Sequence, residues 1–260
     1  MRPSKVLAKI RAGKVARLCS SGSRTRYFPS VAAHFGYDGV WMDAEHNAWD
    51  AREIETMLLR HHDADIDCVW RPSLTEKSAL YRLLEDGATG LMIPMVNTAE
   101  RARELVAAMK FPPLGERGLD GSGIDADYWV AKADDFTAQA NRETFLVAQI
   151  ETQQALDAAE AIAAVPGVDV LFIGPGDLSL RLGCSAAVND PAMLEAQKRV
   201  AAAAKKHGKA WGRPAGDAES ARTIVALGAQ FVVLGGELQA IIKVLGECSA
   251  QLDEVLGSTR

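Results

Sequence analysis

The chain has 260 residues, of which 48% are hydrophobic and 24% are charged, and its formal net charge at pH 7 is −5. This composition is typical of a globular protein and excludes a disordered or fibrous chain, while the acidic balance argues against nucleic acid as the main partner. No apolar stretch approaches the ~18 residues of a membrane span or forms a signal sequence, so we expect no membrane partner and a cytoplasmic location.

Short apolar runs alternate with helical segments along the whole chain. The apolar runs predict strands at residues 15–20, 39–43, 67–71, 90–94, 145–151, 170–174, 209–212 and 231–235. Segments whose apolar positions recur about every 3.6 residues predict helices at residues 51–60, 78–86, 98–109, 153–164, 191–207 and 218–227.

Eight strands separated by helices predict an α/β protein with a (β/α)₈ TIM-barrel fold, for which a length of ~250 residues is typical. A doubly wound open sheet is the alternative, and the absence of a GxGxxG motif after the first strand disfavours it. No linker divides the chain, so residues 1–260 are predicted to form a single domain.

The one long irregular stretch covers residues 111–141 and is rich in Pro, Gly and Asp. Connections of this length inside a compact domain are usually functional. We therefore predict that this stretch forms a lid or a substrate-binding loop.

A pair of carboxylates follows two successive strands. Glu151 ends the fifth predicted strand and Asp177 follows the sixth. A strand, a crossover helix and a parallel strand place both strand ends at one edge, where neighbouring strands lie ~4.8 Å apart. Two carboxylates at that spacing repel each other, and Mg²⁺, which binds oxygen ligands at ~2.1 Å, could contact both. The pair therefore predicts a divalent metal site.

Other polar residues stand at the ends of predicted strands, where the chemistry of a barrel is located. They are Asp43, His46, Arg71, Gln149 and Arg213. Each has a structural alternative as a helix cap or an ordinary ion-pair partner, but their convergence on one face favours a site.

The residue types in this set suit proton abstraction next to a carbonyl group. A metal would polarise the carbonyl, Arg71 would add charge stabilisation, and His46 would move the proton at a pKa near the working pH. No lysine lies at the carboxyl end of a predicted strand, so a Schiff-base mechanism is disfavoured.

From about residue 7 to residue 242 the chain resembles the metal-dependent class II pyruvate aldolases of the HpcH/HpaI aldolase and citrate lyase family. The motifs that carry the resemblance are DAEH at 43–46, RPS at 71–73, IPMV at 93–96, FPPLGERG at 111–118, QIET at 149–152 and FIGPGDLS at 172–179.

The resemblance implies a role for each matching position. Glu151 and Asp177 would be the metal ligands, and Gln149 would contact the substrate. The backbone around Gly176 and Asp177 would hold the carboxylate of pyruvate, and Arg71 would stabilise the enolate oxygen.

The resemblance also implies that His46 is the general base, paired with Asp43. Glu85 stands where the family has an aspartate that raises the basicity of the histidine. Arg213 and residues 119–127 depart from the family pattern and are our candidates for selecting the acceptor.

The implied cofactor is a divalent metal, Mg²⁺ or Mn²⁺, with Co²⁺ or Zn²⁺ also compatible. The implied small-molecule partners are pyruvate or another 2-oxo acid and an aldehyde. The resemblance further implies a homo-oligomer, a hexamer built as a dimer of trimers, in which the C-terminal helix is exchanged between subunits.

The reaction expected on these grounds is reversible aldol cleavage of a 4-hydroxy-2-oxo acid to pyruvate and an aldehyde. Two alternatives stay open. One is a lyase of the citryl-CoA or malyl-CoA type, which shares the fold and the metal pair. The other is a non-catalytic keto-acid-binding protein.

Overall fold

Eight parallel strands close into a barrel in the computed structural model, which describes residues 2–130 and 134–257. Each strand pairs with the next along the chain, and the last pairs with the first. The strands are β1 (Ala16–Ser21), β2 (Gly39–Asp43), β3 (Asp67–Arg71), β4 (Gly90–Ile93), β5 (Phe145–Ile150), β6 (Val168–Ile173), β7 (Ala210–Ala215) and β8 (Phe231–Gly236). The predicted (β/α)₈ barrel is confirmed, and the strand ends differ from the prediction by three residues or fewer.

Helices alternate with these strands and form the outer layer. They are α1 (Lys5–Arg11), α2 (Phe28–His34), α3 (Ala51–Asp63), α4 (Lys77–Glu85), α5 (Ala99–Met109), α6 (Phe136–Glu143), α7 (Gln153–Asp157), α8 (Ala159–Ala163), α9 (Pro175–Leu182), α10 (Pro191–Lys206), α11 (Ala218–Ala226) and α12 (Glu237–Leu256).

Polar side chains fix the starts of several helices. Asp50 and Glu53 form a reciprocal capping box at α3, in which each carboxylate accepts the other residue's backbone N–H at 2.9 Å. Thr98 and Thr152 accept backbone N–H groups at the starts of α5 and α7. Each bond satisfies an N–H group that has no partner within its helix, so these residues determine where the helix begins.

The interior of the barrel contains an aromatic column made of Trp41, Phe145, Phe172 and Phe231. Successive rings pack edge to face, with centroids 5.7 Å apart for Trp41–Phe172, 5.6 Å for Phe172–Phe231 and 6.5 Å for Phe145–Phe231. Burying each ring of this size stabilises the fold by roughly 1.5–3 kcal/mol. Trp41 lies two positions before the end of β2, so the column reaches up to the carboxyl ends of the strands.

The crossover between β5 and β6 is broken, whereas one helix was predicted over residues 153–164. It forms α7 and α8, which meet at Ala158. Arg199 of α10 donates to the carbonyl of Leu156 at 3.3 Å and to Asp157 at 2.9 Å. Arg199 thus donates to a backbone carbonyl at the point where the helix breaks.

The irregular stretch 111–141 connects the end of α5 to β5, so it lies at the amino ends of the strands. Residues 131–133 fall outside the described part. The rest includes a 3₁₀-helix (Ile124–Trp129) and the first part of α6. Within one chain this stretch lies opposite the carboxyl ends of the strands, because a helix-to-strand connection returns to the other end, and its role as a lid or a substrate-binding loop stays a prediction.

The final helix, α12, has its apolar side chains in solvent in this single chain. Of its residues only Glu237 is buried. Its large exposed apolar residues are Leu238, Ile241, Ile242, Val244, Leu245, Leu252, Val255 and Leu256. Its exchange between subunits stays a prediction. No helix in the described part of the chain is long and apolar enough to cross a bilayer.

Candidate active site

Asp43 and Arg71 lie side by side at the carboxyl ends of β2 and β3, where they are register partners. The Arg71 guanidinium donates from Nε to Asp43 Oδ1 at 2.8 Å. Its Nη1 lies 2.9 Å from Glu45 Oε2. Two carboxylates therefore hold two edges of a buried guanidinium, and no hydrogen bond from its Nη2 is found among the described residues.

Asp43 is held in the ionised form. Burial pushes the pKa of its carboxyl upward, but the hydrogen bond and the charge of Arg71 outweigh this effect and bring the pKa below its ordinary value. The same carboxylate accepts the backbone N–H of Glu45 at 3.0 Å and the amide of Asn47 at 3.2 Å. Asp43 thus organises both Arg71 and the loop that carries His46.

His46 is the exposed member of this group, since 65% of its side chain is accessible to solvent. Its Nε2 lies 3.7 Å from Glu45 Oε2. The pairing with Asp43 that the resemblance implies is one of charge alone, because the hydrogen-bond partners of the Asp43 carboxylate in the described residues are Arg71, Glu45 and Asn47.

Glu151 follows β5 and is buried, and neutral donors contact both of its carboxylate oxygens. Oε1 accepts the backbone N–H of Met95 at 2.7 Å, and Oε2 accepts from Gln149 Nε2 at 2.7 Å. Met95 has a φ of 55°, which is uncommon outside glycine, and its backbone N–H points at the carboxylate. Because one N–H of the Gln149 amide is donated to Glu151, this side chain orients the carboxylate.

Gly174, just after β6, leaves the space into which the Glu151 carboxylate fits. A β-carbon at this position would lie 2.4 Å from Glu151 Oε2 and 2.9 Å from Gln149 Nε2. A residue with any side chain would collide with both groups, so a glycine is required for this close approach.

The pKa of Glu151 is raised, chiefly by burial. The hydrogen bond from Met95 opposes the rise, the charges of Glu45 and Asp177 add to it, and Arg71 lowers it. No cation forms an ion pair with this carboxylate among the described residues. Buried carboxylates are normally paired with a cation or coordinate a metal, so the environment of Glu151 fits a cation-binding role.

Asp177 lies in the first turn of α9 and is half exposed. Its Oδ1 is 2.6 Å from Arg181 Nη1, one helical turn further along. Its charge acts on Glu151, which indicates that the two predicted metal ligands face the same region.

A closed metal cage is absent from the part of the chain that is described: no group of three or more His, Cys, Asp or Glu is arranged to hold an ion. Two carboxylates are nevertheless a sufficient protein contribution for Mg²⁺, which usually keeps several waters. Glu151 and Asp177 therefore fit an open site in which water and substrate supply the remaining ligands.

Gly176 lies beside Asp177 in the first turn of α9. A β-carbon on Gly176 would meet nothing within 4 Å. The backbone N–H groups of Gly176 and Asp177 have no hydrogen-bond acceptor among the described residues, as is usual for the first turn of a helix. Such groups suit contact with an anion, as the resemblance implies for the carboxylate of pyruvate.

Glu85 is not brought to this group within one chain. It is the last residue of α4, which leads to the amino end of β4, so it lies at the end of the barrel opposite His46. Burial raises the pKa of its carboxyl, and the charges acting on it come from Arg117, Asp125, Asp120 and Arg82. The acidic stretch 119–127 is at the same distant end.

Arg213 also lies apart from the group, because its side chain points from β7 towards the helices. It donates to Gln197 Oε1 of α10 at 3.1 Å and to the carbonyl of Ala186 at 2.8 Å. Burial lowers its pKa to about 10. This packing argues for a structural role and not for the predicted contact with the acceptor.

Three residues at the site were not singled out from the sequence. Glu45 lies in the strand-end run with Asp43 and His46, and Arg181 is four residues after Asp177, the spacing of a helical ion pair. The strand-end position of Glu45 and the spacing of Arg181 are signals that the sequence contains. Met95 has no such signal, because its contribution is a backbone N–H and not a side chain.

Comparisons of the sequence and of the structure with known proteins all point to one family. A 2-keto-3-deoxy-L-rhamnonate aldolase of Salmonella paratyphi B is 35% identical over 233 residues, which cover 90% of this chain and 87% of that protein. A solved HpcH/HpaI aldolase from Desulfitobacterium hafniense has 32% identity and a TM-score of 0.89, covering 95% of this chain and 96% of that one.

A second solved structure, an HpcH/HpaI aldolase/citrate lyase family protein from Burkholderia cenocepacia, has 28% identity and a TM-score of 0.86, covering 96% of this chain and 99% of that one. A sequence model of the HpcH/HpaI aldolase/citrate lyase family matches residues 19–244. The predictions of an enzyme and of a carbon–carbon lyase are thereby confirmed, and the chain belongs to the HpcH/HpaI aldolase/citrate lyase family.

Proposed function

We propose that this protein is a divalent-metal-dependent pyruvate aldolase that reversibly cleaves a 4-hydroxy-2-oxo acid to pyruvate and an aldehyde. The observation that carries the proposal is the buried Glu151 carboxylate. It has only neutral hydrogen-bond donors among the described residues, and its surroundings include Asp177, Glu45 and Arg71. Such a carboxylate suits a bound cation at the strand ends.

Glu151 and Asp177 would hold the metal ion, which when bound polarises the keto oxygen and stabilises the enolate. Arg71 supplies a second positive charge at the same place. Its Nε and Nη1 are engaged by Asp43 and Glu45, and its Nη2 is the donor left for the developing enolate oxygen.

His46 would move the proton of the 4-hydroxyl group. An exposed imidazole can reach a substrate without a large rearrangement, and the carboxylate of Glu45 lies 3.7 Å from its Nε2. The carboxylate of the 2-oxo acid would meet the free N–H groups of Gly176 and Asp177. A direct contact of Gln149 with substrate stays a prediction.

Exchange of the C3 protons of pyruvate, followed by NMR, tests enolate formation without knowledge of the aldehyde. We expect exchange with Mg²⁺ or Mn²⁺ and none after chelation. Glu151→Gln, which removes the charge and keeps the size, should abolish the exchange. Glu100→Gln is the matched control, since Glu100 is exposed and lies on α5. Full exchange in Glu151→Gln or after chelation would refute the proposal.

The exchange experiment and two activity assays together separate the remaining alternatives. Activity on a CoA thioester combined with no aldol cleavage of any 4-hydroxy-2-oxo acid would favour the citryl-CoA or malyl-CoA type of lyase. Failure of every metal to promote exchange would favour a keto-acid-binding protein. A panel of aldehydes, each offered with pyruvate and with other 2-oxo acids, then identifies the acceptor.

The proposed assembly is a homo-oligomer, with a hexamer built from two trimers as the specific expectation. The unpacked apolar residues of α12 support it, since a row of exposed Leu, Ile and Val side chains usually marks an interface. The cytoplasmic location and the single domain over residues 1–260 stay predictions.

A further inference from the structure

The Arg71 guanidinium rests on the face of the Trp41 indole ring. The central carbon of the guanidinium lies 4.8 Å from the ring centroid, within the range of a cation–π contact. Trp41 faces the interior of the barrel from β2, below the strand end that carries Asp43. The ring therefore forms the floor on which the cationic group of the site lies.

The ring cannot tilt freely, because it packs edge to face with Phe172 at a centroid distance of 5.7 Å. Phe172 packs in turn against Phe231 at 5.6 Å. Packing within the aromatic column thus fixes the plane of the Trp41 ring. A planar guanidinium stacked on that ring takes its orientation from it.

We propose that Trp41 is the positioning residue for Arg71; this inference rests on the proposed function. Asp43 holds the guanidinium through a hydrogen bond and Glu45 through an ion pair, but these two contacts along its edges still allow it to tilt about them. The indole face removes this freedom. The three contacts together leave Nη2 as the donor directed to the reacting oxygen, so that the charge is in place before the enolate forms.

The lack of a partner for the indole N–H indicates that the ring face of Trp41, and not its N–H, is the functional part. Trp41 Nε1 is buried and has no hydrogen-bond partner among the described residues. A buried N–H without a partner is unfavourable, so a position that needed only bulk would be better filled by phenylalanine or an aliphatic residue. Tryptophan is, however, the aromatic residue with the strongest attraction for a cation.

Two replacements of Trp41 distinguish the effect of its aromatic ring face from the effect of its side-chain volume. Trp41→Phe keeps an aromatic face, and we expect its rate of enolate formation to stay within about threefold of the wild type. Trp41→Met fills much of the space without a π-system, and we expect kcat to fall roughly 10- to 30-fold with KM for pyruvate little changed. Trp41→Leu is the second non-aromatic variant if Trp41→Met does not fold.

Trp211 offers a matched control. It is buried, whereas Trp41 is partly buried, and the Nε1 of Trp211 also lacks a partner in the described part of the chain, but it packs in the outer core between strands and helices. Trp211→Met creates a similar defect in packing away from the site. We expect it to lower the melting temperature about as much as Trp41→Met while leaving kcat near the wild-type value. An equal loss of kcat in both variants would overturn the inference.

A double-mutant cycle tests whether Trp41 acts through Arg71. In an Arg71→Gln background, Trp41→Met should produce no further loss of kcat, because the group it positions is gone. Multiplicative losses would show that the two residues act independently, and the inference would then fail.

An observation that does not depend on catalysis distinguishes this inference from the proposed function. The Nε–H signal of Arg71 in a ¹H–¹⁵N spectrum of a perdeuterated sample should keep its ring-current shift in Trp41→Phe and lose it in Trp41→Met. An unchanged signal in Trp41→Met would overturn the positioning role even in an active aldolase. A changed signal in a protein without pyruvate exchange would uphold that role and reject the proposed function.

Discussion

Replacing Gly174 by alanine should weaken metal binding without unfolding the protein. The φ of Gly174 is −85°, a value that alanine adopts freely, so the backbone itself is not strained by the change. The added methyl group would instead lie 2.4 Å from Glu151 Oε2, whereas ordinary contact begins at 3.4 Å. The carboxylate of Glu151 must therefore move by about 1 Å.

That displacement removes a hydrogen bond. The bond from Gln149 to Glu151 Oε2 is 2.7 Å long, and a shift of about 1 Å takes it beyond the range of a hydrogen bond. Hydrogen bonds to charged groups contribute about 1.5–3 kcal/mol. We therefore expect the affinity for Mn²⁺ to fall roughly 10- to 100-fold, since 1.4 kcal/mol corresponds to a factor of ten.

The assay is titration of Mn²⁺, followed by electron paramagnetic resonance of the free ion, together with the melting temperature of each variant. Gly216→Ala is the control, because a β-carbon at Gly216 meets nothing within 4 Å and no unusual φ applies there. Wild-type affinity for Mn²⁺ in a folded Gly174→Ala variant would refute the assignment of Glu151 as a ligand held against Gly174. Equal losses in both variants would also contradict it.

Three further predictions concern Arg181, His61 and Ile242. Arg181→Gln frees the Asp177 carboxylate from a partly exposed ion pair and should raise the affinity for Mn²⁺ about two- to fivefold, as measured by calorimetry. Arg199→Gln breaks a comparable exposed ion pair and should leave the affinity for Mn²⁺ unchanged. His61 is buried and its pKa is lowered to about 4, so the side chain takes up a proton when the protein unfolds at mildly acidic pH. The free energy of unfolding should therefore fall by up to about 3 kcal/mol from pH 6.5 to pH 4. Urea titrations of His61→Gln should lack this part of the decline. Ile242→Asp should dissociate the assembly in sedimentation experiments, and an unchanged sedimentation coefficient would mean that this face of α12 is not an interface.

The barrel was predictable because its signals are local. Buried parallel strands are short apolar runs, and helices repeat their apolar positions, so each element can be recognised within its own segment. The exception is the crossover over residues 153–164, where the break at Ala158 coincides with a contact from Arg199, 41 residues further along the chain. A local pattern contains no information about such a contact.

Part of the candidate site followed from the same reading, since the carboxyl ends of parallel strands meet at one end of a barrel. This rule by itself predicts that Asp43, Arg71 and Glu151 lie at the same end of the barrel. It did not apply to Glu85, which ends a helix and so lies at the other end of the barrel. It also did not separate the two faces of a strand, and Arg213 lies on the face that packs against α10.

The sequence by itself determined the order of strands and helices and the types of residue that follow each strand, because both depend on short-range patterns of polarity. Only the tertiary structure decided which of those residues face one another. Side chains alternate between the two faces of a strand, so a shift of one residue exchanges the interior for the helix layer. The stacking of Arg71 on Trp41 and the turn of the Met95 amide towards Glu151 depend on ring planes and backbone angles that packing sets, and these have no counterpart in a pattern of residues.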